Sequence, residues 1–172
     1  MIDYRIRSVE NYTDKIGELV SMLEHARQVT LSEISSFDQF ELDYLPSHQA
    51  NSIGSLLFHI ASIEFVHQVI SFEKRDLTLE EIKKWGMALS LGSKARQEIT
   101  GHSLNYYLDT LSEVRGETLA LLKFKDDTWL FEEHNWDNGV PYNNYYVWFH
   151  VMEDEMNHRG QIRALKRQLG YR

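Results

Sequence analysis

The sequence predicts an all-α protein, a four-helix bundle. Apolar residues recur at three- and four-residue steps in four long stretches, which is the period of one face of a helix. The chain contains only two prolines, Pro46 and Pro141, and both lie between those stretches, where they interrupt no helix. A chain of 172 residues can bury a substantial core, so we expect a single domain that spans residues 1–172.

The first predicted helix runs from about Ser8 to Val29, and the second runs to about Phe72 from a cap at Asn51 or Ser52. Each has one apolar face. In the first helix that face consists of Val9, Ile16, Leu19, Val20, Leu23, Ala26 and Val29, and in the second of Ile53, Leu56, Ile60, Ile63 and Ile70.

About thirty residues separate the second helix from the third. Thr78 and Glu81 form a capping-box pattern that predicts a short helix ending near Gly86, and residues 87–102 are expected to form a loop. Antiparallel neighbours in a bundle need only about two to eight connecting residues. The long connection therefore predicts a crossover between two parallel helices.

The third helix is expected to start after a cap at Ser103 and to end before Asp126, and a polar, aromatic loop follows as far as Pro141. The fourth helix is expected to run from about Asn143 to Leu169. Gly170 follows it, in the position where glycine commonly ends a helix.

Charge and composition exclude several classes of partner and cofactor. The chain has 18 basic and 26 acidic residues, a net charge of -8, so it lacks the basic surface that nucleic-acid binding requires. It has no cysteine, so any metal must be bound by His, Asp or Glu. No window approaches the roughly 20 apolar residues of a membrane helix. We expect a cytoplasmic protein that binds neither membranes nor nucleic acids.

The buried stripe predicted for the fourth helix has apolar ends and a polar middle. A bundle would normally place leucines in that middle, because burying an unpaired carboxylate costs several kcal/mol. The polar residues must therefore be paired, hydrated or bound to an ion. The stripe comprises Val147, His150, Val151, Asp154, His158, Gln161, Ile162, Leu165 and Leu169.

Asp154 and His158 lie one helical turn apart on this stripe, so both can bind one ion. The third ligand must come from another helix. His59 is the first candidate, although spacing alone does not separate it from His67, nor does it exclude a pair between Asp154 and His150. His150 and His158 cannot share an ion, because they lie roughly 12 Å apart along the axis. Two imidazoles and one carboxylate suit zinc, iron, manganese or nickel.

Each of these residues also has a purely structural interpretation. A buried Asp–His pair can exist without a metal, and a single His on an apolar face is usually hydrogen-bonded within the core. Gly160, inside the fourth helix, predicts a close helix approach near the site. The tryptophans near the fourth helix could form either a substrate pocket or core, and they are Trp129, Trp136 and Trp148.

Two segments resemble the DinB/YfiT-like superfamily, namely residues 51–60 (NSIGSLLFHI) and residues 158–162 (HRGQI). That resemblance implies an up-down-down-up bundle. The commonest pattern has a His four residues before the HRGQ segment, where this chain has Asp154. A carboxylate there, with His150 four residues earlier, resembles the branch containing mycothiol-dependent maleylpyruvate isomerase. The resemblance then implies that His59, Asp154 and His158 are the metal ligands and that His150 is their neighbour.

The function implied by this resemblance is a metal-dependent thiol S-transferase. A divalent ion would activate a low-molecular-weight thiol, such as mycothiol or bacillithiol, for attack on a small electrophile. Zinc is the first choice for this ion, and nickel, manganese and iron are the alternatives. His150 is expected to act catalytically as a proton acceptor. The alternatives are a hydrolase that uses metal-bound hydroxide and a non-catalytic, stress-related binding bundle. Relatives often form homodimers, so a homodimer is also expected.

Overall fold

A computed structural model describes residues 2–170 of the chain. Four long helices form the bundle, and they are α1, Asp14–Ile34; α3, Ile53–Gln68; α6, Leu104–Leu122; and α7, Asn144–Gln168. A π-helical turn, Val69–Glu73, continues α3. The shorter elements are α2, Gln39–Asp43; α4, Leu79–Ser90; α5, Gly92–Glu98; a 3-10 turn, Trp129–Phe131; and strands β1, Glu133–Asn135, and β2, Pro141–Asn143.

The contacts between α1 and α6 show that these two helices run antiparallel. The hydroxyl of Tyr12, just before α1, donates to the carbonyl of Leu119 near the end of α6, at 3.1 Å. Arg27, in the second half of α1, donates to the carbonyl of Leu111 in the first half of α6, at 2.8 Å. Successive positions on α1 therefore meet successively earlier positions on α6.

Helices α3 and α6 run parallel, as the long connection between them predicts. Gly54 at the start of α3 lies against Tyr107 at the start of α6, since a Cβ on Gly54 would be 2.8 Å from Cζ of Tyr107. Gln68 at the end of α3 donates to the carbonyl of Val114, farther along α6, at 2.7 Å.

Helix α7 runs antiparallel to α3 and completes an up-down-down-up bundle. His59 faces Asp154, whereas His67, two turns farther along α3, packs against His150, one turn earlier on α7. The predicted fold is therefore confirmed.

The four predicted caps are present in the structure. The side chains of Ser52, Thr78, Ser103 and Asn143 each accept a hydrogen bond from the backbone N–H three residues later. At Thr78 the capping box is complete, because Glu81 accepts in return from the Thr78 N–H. These side chains satisfy N–H groups that the first turn of a helix leaves without partners.

Three predicted boundaries are wrong. The first helix begins at Asp14 instead of Ser8 and continues to Ile34. The segment predicted as a loop, residues 87–102, contains the end of α4 and all of α5, divided at Leu91 and Gly92, whose positive φ angles stop α4. The loop expected from residue 126 to 141 contains the 3-10 turn and β1, whose partner β2 starts at Pro141 and leads into α7.

A layer of buried charges divides the core into two apolar clusters. Two arginines and two glutamates from the four long helices form it, with side chains no more than 6% exposed. Arg27 on α1 contacts Glu64 on α3 at 2.8 Å and Glu155 on α7 at 3.1 Å. Arg115 on α6 contacts the same two carboxylates at 2.6 and 3.6 Å.

The expectation that no window approaches a membrane helix is wrong for Ile53–Glu73, which is long and apolar enough to cross a membrane by length and composition alone. However, 72% of its apolar window is buried inside the bundle. A core helix is buried in this way, and here α4, α6 and α7 pack around it.

Candidate metal centre

The polar middle of α7 meets His59 at the interface between α3 and α7. Asp154 Oδ1 lies 3.3 Å from His158 Nε2 on its own helix and 3.5 Å from His59 Nε2 on α3. One donor atom from each of the three residues lies within 4.8 Å of the other two. The structure thus brings together the three residues proposed as ligands, and each side chain is no more than 12% exposed.

This spacing fits a divalent ion. Donors bound at about 2.0–2.1 Å in a tetrahedral arrangement lie roughly 3.3 Å from one another, close to the two distances measured from Asp154 Oδ1. Two imidazole nitrogens and a carboxylate oxygen are a donor set that zinc accepts, with a position left open for a further ligand. The His–Asp–His group can therefore hold a metal.

Two buried polar atoms support the same interpretation. Asp154 Oδ2 and His158 Nδ1 have no hydrogen-bond partner within residues 2–170, although buried polar atoms normally have one. His59, by contrast, is oriented by its second ring nitrogen, because Nδ1 lies 2.8 Å from the carbonyl of Ala88 on α4 and must donate to it. That bond leaves the Nε2 lone pair directed at the site, as in many metal-binding histidines.

The electrostatics couple the three side chains. Burial alone would raise the pKa of Asp154, but hydrogen bonds and charge from His158 and His59 hold that pKa well below its usual range. For His59, burial opposes protonation, yet Asp154 and the Ala88 carbonyl outweigh it and raise the pKa. A metal ion would replace the proton that these groups share, since metal and proton compete for the same lone pairs.

The layer of buried charges fixes the rotation of α7 beside the site. Glu155, next to Asp154, points to the bundle axis and accepts from Arg27, so Asp154 is turned by about 100° toward α3. This layer was not predicted from the sequence, although a signal was present. Each member follows a buried apolar residue of its own helix by four positions: Leu23 and Arg27, Ile60 and Glu64, Leu111 and Arg115, and Val151 and Glu155.

His67 and His150 form a second imidazole pair one to two turns from the first. Their ring centroids are 5.3 Å apart. His67 is buried and donates from Nδ1 to the carbonyl of Ile63 at 2.6 Å, whereas the His150 side chain is 37% exposed and approaches Glu153 at 3.3 Å. The alternatives in which His67 replaces His59, or His150 pairs with Asp154, are not what the structure shows.

Two further expectations about this region need correction. Gln161, predicted on the buried stripe, is exposed. A Cβ at Gly160 would meet no atom of residues 2–170 within 4 Å, so no close helix approach explains this glycine. Of the two alternatives left open for the tryptophans, core applies to Trp129 and Trp148, whereas Trp136 lines a cleft.

Comparison with known proteins places this geometry in a family. Residues 18–170 match the family described as mycothiol-S-transferase. No curated protein matches the chain. A conserved protein from Enterococcus faecalis is similar in structure, with a TM-score of 0.65, 15% identity, and coverage of 87% of this chain and 93% of that one.

A protein from Streptococcus pneumoniae shows the same likeness, with a TM-score of 0.67 and 16% identity, over 95% of this chain and 94% of that one. At such identities the two structures support the fold alone. The family match covers most of the chain and includes all three residues of the His–Asp–His group. The chain therefore belongs to the mycothiol-S-transferase family, within the DinB/YfiT-like bundles.

Proposed function

We propose that the protein is a metal-dependent thiol S-transferase, which joins a low-molecular-weight thiol to a small electrophile. The single observation that supports this best is the buried His–Asp–His group, with its donor spacing and two unpartnered polar atoms, in a chain of a thiol-transferase family. His59, Asp154 and His158 would hold the ion, and zinc is the first choice for this donor set. A bound divalent cation lowers the pKa of a thiol and so supplies thiolate at neutral pH.

The reaction transfers one proton and forms one carbon–sulfur bond. The S–H proton leaves the thiol, the sulfur electron pair attacks the electrophilic carbon, and the leaving group departs with its bonding pair. We assign the proton to Nε2 of His150, because its Nδ1 side is occupied by Glu153 and the ring lies one turn before Asp154 at the exposed edge of the site. His67, buried and with its pKa lowered to about 4, stays neutral beside it.

We place the reaction in the cytoplasm. Low-molecular-weight thiols are kept reduced there, and a chain without cysteine cannot itself form mixed disulfides with them.

Metal content tests the ligand assignment directly. Protein purified without an affinity tag and equilibrated with zinc should hold about one ion per chain, and Asp154→Ala and His59→Ala should each lose at least tenfold in affinity. Exposed residues of the same types provide controls, namely Asp109→Ala and His48→Ala, and both should keep the wild-type content. Equal metal content in Asp154→Ala and wild type would overturn the assignment.

Turnover separates transfer from hydrolysis. With 1-chloro-2,4-dinitrobenzene as electrophile, the wild type should release chloride and form the aryl thioether only when mycothiol is added, and Asp154→Ala should lose at least a hundredfold in kcat/KM. Metal-dependent release of chloride without thiol would instead favour the hydrolase. A zinc-loaded protein inactive in both assays would favour a binding role.

A further inference from the structure

The structure also contains a cleft away from the metal centre. It has a volume of 740 Å³ and lies between the end of α3 and the β1–β2 hairpin. Ile70, Lys74 and Arg75 form one wall, and His134, Trp136 and Tyr142 form the other. The cleft is large enough for a small organic ligand, and neither the His–Asp–His group nor His150 lines it.

The hairpin wall presents an aromatic platform with polar neighbours. The rings of Trp136 and Tyr142 stack at 3.9 Å between centroids, with an angle of 17° between their planes. Residue pairing between β1 and β2 holds His134 opposite Tyr142. His134 Nε2 is buried without a hydrogen-bond partner in the described part of the chain, so the wall has a polar atom still to be satisfied.

The charges around the cleft favour a neutral ligand over an anion. Lys74 is paired with Glu132 at 3.0 Å, and Arg75 is paired with Glu73 at 2.8 Å and Glu81 at 2.7 Å. Both cations are therefore already neutralised. The remaining wall groups include two carboxylates and two amides, Asp76, Asp137, Asn135 and Asn138. Such oxygens and amides hydrogen-bond to hydroxyl groups, while an aromatic face packs against the C–H face of a sugar ring.

A line of side chains leads from this cleft to the metal centre. Tyr142 lines the cleft from β2, and Tyr146, His150 and Asp154 follow at four-residue steps in α7, so these three lie on one side of that helix. The ring of Tyr146 is parallel to that of His150, 6.1 Å away. Ile70 in the cleft lies in the π-helical turn that continues α3, eleven positions from His59, or roughly 16 Å along the axis. An extended ligand of that length would reach both places.

We propose that this cleft binds the polyhydroxylated part of the thiol co-substrate, so that its sulfur reaches the metal centre. This inference rests on the proposed thiol transfer. It identifies Trp136 and Asp137 as residues that select the thiol by its hydroxylated portion. The thiols that fit are those whose sulfur is separated from a sugar or polyol by a short spacer.

Two thiols of different size test the proposal, with 1-chloro-2,4-dinitrobenzene held at saturation. Mycothiol carries a sugar and a polyol, whereas N-acetylcysteine has only the thiol end. In Trp136→Ala the KM for mycothiol should rise about tenfold more than the KM for N-acetylcysteine, and in the isosteric Asp137→Asn about threefold more. Phe124→Ala removes an aromatic ring that is 86% exposed and outside the cleft, and it should change neither KM.

A binding measurement keeps the inference separate from the proposed function. S-methylated mycothiol, which cannot react, should bind the wild type in a calorimetric titration, and Trp136→Ala should weaken its binding about tenfold relative to Phe124→Ala. If no thiol is transferred but this pattern holds, the proposed function fails and the cleft assignment stands. The assignment would be overturned if Trp136→Ala raised the KM for both thiols equally. It would also be overturned if Trp136→Ala left the affinity for S-methylated mycothiol unchanged.

Discussion

Glu64 is the residue on which the buried charge layer most depends. It accepts from Arg115 at 2.6 and 3.0 Å, from Arg27 at 2.8 Å and from Thr118 at 2.7 Å, and it is fully buried. Burial alone would raise the pKa of Glu64, but the two guanidinium groups lower it to about 2. The carboxylate therefore stays charged at any physiological pH and compensates two buried cations.

Replacing Glu64 by glutamine should destabilise the protein by about 3–5 kcal/mol, because Arg27 and Arg115 would then share only Glu155. Urea denaturation at neutral pH measures this loss. Glu24→Gln is the matched control, since Glu24 also contacts Arg115, at 3.2 Å, but its side chain is 39% exposed. It should cost less than about 1 kcal/mol. Equal losses in the two variants would contradict the assigned role of Glu64.

His67 predicts an acid-sensitive contribution to stability in the metal-free protein. Burial lowers its pKa from 6.5 to about 4, so between these values the unfolded chain binds more protons at this position than the folded chain does. Stability must therefore fall as the pH falls from 6.5 to 4, by an amount on the order of 3 kcal/mol. Above pH 6.5 both states are neutral here and the contribution disappears.

His67→Gln should make stability less dependent on pH in that window, as measured by denaturant unfolding in the presence of a chelator. His48→Gln, which changes an exposed histidine in the same way, is the control for the substitution. A profile for His67→Gln that follows the wild type between pH 6.5 and 4 would show that the buried imidazole is already protonated in the folded state.

At the scale of helices, two glycines predict opposite effects of the same substitution. A Cβ at Gly54 would lie 2.8 Å from Cζ of Tyr107, whose side chain is only 1% exposed and cannot move aside. Gly54→Ala should therefore cost about 1–3 kcal/mol by overpacking. At Gly160 an added Cβ meets open space, so Gly160→Ala should stabilise α7 by roughly 0.5–1 kcal/mol. Thermal unfolding measures both, and two shifts of the same sign would refute this packing.

The four long helices could be predicted from sequence because their signals are local. Ser52, Ser103 and Asn143 each cap a helix start, and the apolar period is visible within each stretch. The division at Leu91 was missed, since it depends on positive φ angles at a non-glycine residue and at Gly92 that no local rule anticipates. The hairpin was missed because its strands are only three residues long.

The site was partly predictable for the same reason. Asp154 and His158 share a turn, so their proximity follows from helix geometry. The choice of His59 over His67 needed the register between α3 and α7, which is a property of tertiary packing. The buried charge layer needed all four helices at once, because each charged residue alone resembles a polar interruption of an apolar stripe.

At the scale of the whole molecule, a metal bound by α3 and α7 would join segments about one hundred residues apart in the chain. Unfolding separates His59 from Asp154 and His158, so an ion that binds only the folded state must stabilise it. At a free zinc concentration one hundred times the Kd, the gain is about 2.7 kcal/mol, which for a chain of this size corresponds to a rise in Tm of roughly 5–10 °C.

The sign of the pH dependence follows from the protonation of His59 when the metal is absent. The pKa of His59 is raised in the metal-free fold, so protons compete with zinc at its Nε2 as the pH falls through that pKa. The zinc-induced rise in Tm should thus shrink on acidification, vanish with a chelator, and be absent from Asp154→Ala. If zinc raised the Tm of Asp154→Ala as much as that of the wild type, the ion would be bound by other residues, and α3 and α7 would be held together by packing and the buried charge layer alone.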